Sequence, residues 1–262
     1  MDHRREILLR TIVIIPTLSD NYTYLVASGS EAVAIDPGEA RPVLQRLEQL
    51  GWTLRAVLCT HGHFDHTAGN EELVRATGCS LYLPPDFSDS DAAGAGAQFP
   101  VQSSVPFQII PIPTPGHSMD SVCYYLPPEG GSPGVVFTGD TLFIGGCGRL
   151  FTESPSMMWS SLQRLAVLPP ETLVYCGHDY TLENYEFALD IEPDNEAVQQ
   201  RLEEMRDLAD VSGNSVPSTM QIEHATNPYF RAGVPGVKRS VGMPDATDVE
   251  VFTELRKRKD RF

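Results

Sequence analysis

Lysine is scarce in this chain of 262 residues: Lys238, Lys257 and Lys259 are the only three, and every other basic residue among its 19 lysines and arginines is an arginine. The 35 acidic residues leave a net charge of -16. A surface so short of positive charge repels nucleic acid and anionic membrane, both of which are normally held by a basic face. Acidity combined with so few lysines also predicts a salt-tolerant protein. Long apolar runs are missing too. A stretch such as Ile12-Val13-Ile14-Ile15 falls far short of the roughly 20 residues a membrane-spanning helix needs. The start, Met1-Asp2-His3-Arg4-Arg5-Glu6, lacks the apolar stretch and cleavage site of a secretory signal, so a cytoplasmic location is expected. Cysteine is limited to Cys59, Cys79, Cys123, Cys147 and Cys176, odd in number, widely spaced and without a C-x-x-C pair. That pattern argues against a disulfide framework or a zinc knuckle and predicts reduced thiols in a core.

The length and ordinary apolar content suit one substantial domain plus an appendage. Residues 7–16, 22–27 and 32–36 are short β-rich runs with polar breaks between them. Residues 38–51 then follow a helical pattern through Val43, Leu44, Leu47 and Leu50, with Gly51 as a stop. A strand over 54–59, a helix over 68–78 and a strand over 79–83 follow. Residues 84–98 have the composition of a surface loop. Strands return between 105 and 137, with a hairpin loop at 127–134. After the glycine-rich 139–148 come a helix over 156–168 and a last strand over 173–176. Beyond it the pattern is helical, at 180–191, 195–209 and 245–260, and no further strand is expected. A domain boundary follows near residue 179, and two groups of strands, each followed by helices, suit a two-sheet sandwich flanked by helices.

Histidine is also sparse, with seven in all, yet three lie in Thr60-His61-Gly62-His63-Phe64-Asp65-His66, directly after the strand-like 54–59. Imidazole nitrogen and carboxylate oxygen suit zinc, iron or manganese, and a cluster without thiolates is unlike a closed structural zinc site. Three more candidates each follow an apolar run and a glycine: His117, Asp140 and His178. Glycine lets the backbone turn so that the next side chain points into a cleft. His61, His63, Asp65, His66, His117, Asp140 and His178 are too many for one four-coordinate ion and suit two. One ion can take His61, His63 and His117, the other Asp65, His66 and His178, with Asp140 between them. Two cations so placed activate a bridging water, which makes a hydrolase the expected reaction class.

These residues resemble the motif set of the metallo-beta-lactamase superfamily, and the resemblance implies a four-layer αββα sandwich of the α/β class with a C-terminal helical domain. Within the superfamily the chain is most similar to glyoxalase II, the hydroxyacylglutathione hydrolase family. The similarity rests on Ser19-Asp20-Asn21-Tyr22, Thr138-Gly139-Asp140-Thr141-Leu142-Phe143, Gly146-Cys147-Gly148-Arg149-Leu150-Phe151, Tyr175-Cys176-Gly177-His178-Asp179-Tyr180-Thr181, Asn227-Pro228 and Arg256-Lys257-Arg258-Lys259-Asp260. It implies a catalytic domain over 1–179 and a helical substrate-binding domain over 180–262. The implied activity is hydrolysis of S-D-lactoylglutathione to D-lactate and glutathione by a metal-bridging hydroxide, the second step of methylglyoxal detoxification, and the resemblance implies Asp65 and Asp140 as its catalytic carboxylates. Two divalent ions per chain are implied, zinc first, with iron or manganese as alternatives. Arg149, Phe151, Tyr180, Arg256 and Lys259 are then the substrate-binding residues, the cations answering the two carboxylates of glutathione. A small-molecule thioester and a monomeric chain are expected, with no nucleic-acid or membrane partner.

The chain departs from the family pattern at Asp120-Ser121, at Phe151, where some members have tyrosine, and at Asp179 in place of a glutamate. Competing expectations are a mononuclear-iron persulfide dioxygenase using His61, His117 and Asp140, a thioesterase for another small thiol, and a non-catalytic metal-binding protein on the same fold.

Overall fold

The computed structural model describes residues 10–86, 105–210 and 214–262. The expected loop over 84–98 lies mostly outside them, as do residues 7–9 of the first expected strand. One sheet contains β1 (Thr11–Thr17), β2 (Asn21–Ser28), β3 (Glu31–Ile35), β4 (Thr53–Leu58) and β5 (Ser80–Tyr82), in that order. Its first three strands pair antiparallel, whereas β3, β4 and β5 run parallel. Parallel neighbours need a crossover. Helix α1 (Ala40–Leu50) makes the first, and the short α2 (Phe64–Thr67) with α3 (Asn70–Thr77) makes the second. Gly51 ends α1 in the left-handed conformation, at φ 66, where a side chain would be disfavoured.

The second sheet is built from β6 (Ile110–Pro113), β7 (Val122–Leu126) and β8 (Val135–Gly139). Strand β8 leads into a hairpin of β9 (Leu142–Phe143) and β10 (Gly146–Cys147), then helix α4 (Pro155–Ala166) and β11 (Leu173–Cys176). Helices α5 (Thr181–Ile191) and α6 (Glu196–Asp210) precede a strand the sequence did not lead us to expect, β12 (Ser218–Thr219). It pairs antiparallel with β11, Leu173 opposite Thr219 and Val174 opposite Ser218, and closes that sheet in the order β12-β11-β8-β7-β6. Two residues are too few to reveal an alternating pattern, so the expectation of no strand after β11 is corrected here. Helices α7 (Met220–Thr226), α8 (Pro235–Ser240) and α9 (Asp248–Lys259) complete the chain. No helix among the described residues is long and apolar enough to cross a membrane.

Alternation along each strand produces the layers. In β3, Val33 and Ile35 face a core shared with Leu58, Tyr124, Leu126 and Phe137 of both sheets, while Ala32 and Ala34 face Val43, Leu47 and Leu73 of α1 and α3. Val136 and Val174 face outward from the second sheet, against Met158, Leu162 and Leu165 of α4 and Val251, Phe252 and Leu255 of α9. The order is helix, sheet, sheet, helix, as the resemblance implied. All five cysteines are buried and free.

Candidate metal centre

Strand ends converge on one edge of the sandwich. His61, His63, Asp65 and His66 follow β4, His117 follows β6, Asp140 follows β8 and His178 follows β11. Close approach of these segments depends on glycine. A Cβ on Gly177 would lie 2.5 Å from Asp140 Oδ1 and 2.8 Å from His66 Cε1, and one on Gly148 would collide with the Asp140 carbonyl. Gly139, at φ 48, packs directly on Thr60.

Three groups of donor atoms result: His61, His63 and His117; His61, His66 and Asp140; and Asp65, His66 and His178. Within each, one donor atom per residue lies within 4.8 Å of the others. His63 Nδ1 is 3.0 Å from both His61 Nε2 and His117 Nε2, and His66 Nε2 is 3.1 Å from His178 Nε2. The Asp140 carboxylate lies between the groups, its Oδ1 3.4 Å from His66 Nε2 and its Oδ2 3.4 Å from the Nε2 atoms of His117 and His178. Asp140 Oδ1 is buried without a hydrogen bond. A buried carboxylate oxygen left in that state is costly. Nitrogen and oxygen donors aimed at common points, together with that orphaned oxygen, fit two divalent cations and no thiophilic one.

The far nitrogens of the rings are held by partners that sequence reasoning did not name in this role. Asp36, at the end of β3, accepts from Thr60 N and Thr60 Oγ1, both at 2.7 Å, and its Oδ2 is 3.1 Å from His66 Nδ1. Asp20 Oδ1 is 2.7 Å from His178 Nδ1, and the Arg149 carbonyl is 2.9 Å from His117 Nδ1. Asn21 donates to Asp65 Oδ2 at 3.0 Å. Such partners fix ring orientation and tautomer and raise ligand basicity. Asp36 carried part of the signal that marked Asp140, since it follows the apolar 32–35, but no glycine precedes it.

The charges are coupled. Burial opposes ionisation of Asp140, but His66 and His178 outweigh it and hold that carboxyl well below its ordinary range. His178 is raised to about 10, its burial overcome by hydrogen bonds to Asp140, Asp65 and Asp20. His66 is likewise raised against burial by Asp140 and Asp36. The His178 hydrogen bond is the main cause of the lowered pKa of Asp65. Burial lowers His61 and His117, leaving neutral rings suited to ligation.

Arg149, Phe151 and Arg256 line a cleft of about 440 Å³ beside this edge, together with Lys257 and Asp260. The exposed Phe151 ring lies edge-on to His63 and His117, at centroid distances of 5.3 and 5.2 Å. Arg256 is buried and donates to the Cys147 carbonyl at 2.8 Å and to Asp260 at 3.0 Å. Tyr180 stacks on His178 at 5.0 Å. Lys259, one turn along α9 from Arg256, donates its Nζ to the Glu183 carbonyl at 2.9 Å over the rings of Phe187 and Phe262. Of the departures, Asp179 accepts from Tyr22 Oη and Ser215 Oγ, both at 2.7 Å, and Ser118 Oγ joins Asp120 and Ser121 at 2.6 and 2.7 Å.

Twin sheets between helices, with imidazoles and carboxylates gathered at one edge, define the metallo-beta-lactamase class of metal-dependent hydrolases. The profile of the metallo-beta-lactamase superfamily matches residues 16–178, and that of the hydroxyacylglutathione hydrolase C-terminus matches 179–262. By sequence, the chain is 40% identical to the hydroxyacylglutathione hydrolase of Cereibacter sphaeroides, over 96% of this chain and 98% of that one. Among solved structures, ETHE1 from Myxococcus xanthus superposes with a TM-score of 0.61 at 24% identity, covering 94% of this chain and 90% of that one. TTHA1623 in a di-iron-bound form gives a TM-score of 0.54 at 28% identity, covering 84% and 99%. The chain belongs to the hydroxyacylglutathione hydrolase family of the metallo-beta-lactamase superfamily.

Proposed function

We propose that the chain hydrolyses S-D-lactoylglutathione and related 2-hydroxyacylglutathione thioesters to the hydroxy acid and glutathione. His61, His63 and His117 would hold one divalent cation, Asp65, His66 and His178 a second, and Asp140 would serve both. The observation that carries this reading is the pair of three-residue donor groups with the Asp140 carboxylate between them, in a chain 40% identical to a relative named for this activity. Two divalent ions in such a site supply a water of pKa near about 7 and polarise the thioester carbonyl.

The chain's own residues do the rest. Asp65, anchored by Asn21 at 3.0 Å, orients the attacking water and accepts a hydrogen bond from it. Glutathione leaves as a thiolate, a good leaving group, so no strong general acid is required of the protein. Arg149, Lys257 and Arg256, the last paired with Asp260, outnumber Glu153 and Asp260 along the cleft and answer the two carboxylates of glutathione, in an otherwise acidic protein. Phe151 covers the ligand edge next to His63 and His117, and Tyr180 offers its hydroxyl from the His178 side. A mononuclear iron site built from His61, His117 and Asp140 would leave the Asp65, His66 and His178 group without a role. The test is hydrolysis of S-D-lactoylglutathione before and after chelation. Loss of turnover on chelation and its return with zinc is expected. Oxygen uptake with glutathione persulfide and no thioester hydrolysis would overturn the reading.

A further inference from the structure

The side chains of the β9–β10 turn, Phe143 and Ile144, pack in the core between the sheets, but side chains of the helical region hold its backbone. Gly145 N donates to Glu223 Oε2 at 2.9 Å, and the Asn227 amide donates to the carbonyls of Gly146 at 3.0 Å and Phe143 at 3.4 Å. Asn227 also donates to Glu223 Oε2 at 3.0 Å, Ser218 Oγ donates to Glu223 Oε1 at 2.6 Å, and Asn184 donates to the Ile144 carbonyl at 3.0 Å. Glu223 and Asn227 are both 0% exposed. Every hydrogen-bond partner of Glu223 is neutral, so its burial is expensive, and an apolar side chain would fill the same space at less cost. The expense is spent on one short turn.

That turn touches the metal centre from both ends. Asp140 precedes it by three residues, and the Phe143 ring lies edge-on to His178 at 6.0 Å and to Tyr180 at 5.3 Å. After it comes Gly148, packed on the Asp140 carbonyl, then Arg149, whose carbonyl meets His117 Nδ1 at 2.9 Å. We propose that Glu223 and Asn227 are positioning residues for the metal centre, fixing through the 143–146 turn the placement of Asp140, His178 and the Arg149 carbonyl. The proposal rests on the reading of Asp140, His117 and His178 as ligands. It assigns the helical region a second task besides substrate contact, that of setting ligand geometry.

The test uses the full chain, stripped of metal and titrated with cobalt(II) against a competing chelator, with visible absorption as the readout of ligand geometry. Wild type is expected to take two cobalt ions; failure to do so would overturn the ligand reading itself. In Glu223→Leu, Gly145 N, Asn227 and Ser218 all lose their acceptor. Cobalt affinity is expected to fall about tenfold, as for other groups that orient ligands, and the absorption envelope to change, at a temperature where circular dichroism reports folded protein. Asn227→Ala removes the bonds to the Phe143 and Gly146 carbonyls and is the second variant should Glu223→Leu not fold, with the same direction expected. Ser218→Ala, on the oxygen turned away from the turn, is expected to lower Tm with a wild-type cobalt spectrum. Wild-type affinity and spectrum in folded Glu223→Leu, or in Asn227→Ala if that variant alone folds, would overturn the proposal.

Discussion

Asp36 and Asp20 each hold an imidazole by the nitrogen turned away from the cluster, His66 at 3.1 Å and His178 at 2.7 Å. Replacing Asp36 with Ala is expected to weaken metal binding by about 10–100-fold, with Asn at this position costing less, as measured by chelator competition. The protonation states yield a second expectation. In the metal-free protein the folded pKa of His178 is raised from 6.5 to about 10. A raised histidine adds stability that is fully present below its ordinary pKa and lost as pH rises through the folded one. The Tm of the metal-free protein should therefore fall as pH rises from about 6.5 towards about 10. A cation needs the neutral ring, so its binding should release protons and strengthen across that window. Calorimetric titration in buffers of different ionisation enthalpy measures the release; pH-independent affinity would contradict it. Sequence reasoning reached the seven ligand candidates because each follows an apolar run, most of them with a glycine nearby. It missed Asp36 and Asp20 as orienting groups because a carboxylate beside a turn is common, and only the converging strand ends distinguish these two.

The strands and long helices were legible from their periodicity. Val43 and Leu47 bury one face of α1, and Val33 and Ile35 alternate with Ala32 and Ala34 along β3. The short elements were not. Strand β12 and helix α7 depend on tertiary partners: the edge of β11 for the strand, and the Thr219 hydroxyl, which accepts from Ile222 N at 3.2 Å, for the helix start. Thr219→Ala should cost about 1 kcal/mol, the usual worth of such a cap, and lower Tm by about 2–4 °C in a thermal melt. The loop after the hairpin leaves no such latitude. A methyl on Gly148 would collide with the Asp140 carbonyl and lie 2.9 Å from His117 Nδ1. Gly148→Ala is therefore expected to lose metal while remaining folded, as metal analysis and circular dichroism together would reveal.

Across the whole molecule, the helical region does not stand apart from the sandwich. Phe252, Leu255 and Tyr229 share a core with Val136, Val174 and Leu162 of the second sheet and α4. A chain cut after residue 179 would expose that core, and the full chain is expected to unfold in one cooperative transition. Against the net charge of -16, the excess of Arg149, Arg256 and Lys257 over Glu153 and Asp260 along the cleft is a local exception that suits an anionic thiol. Two divalent ions acting together at the strand ends account for the paired donor groups there. The most direct measurement is turnover of S-D-lactoylglutathione by metal-free protein as zinc is added, with bound metal counted at each step. Activity is expected to reach its plateau at two ions per chain and to be absent from Asp140→Ala. A plateau at one ion, or full turnover without metal, would contradict it.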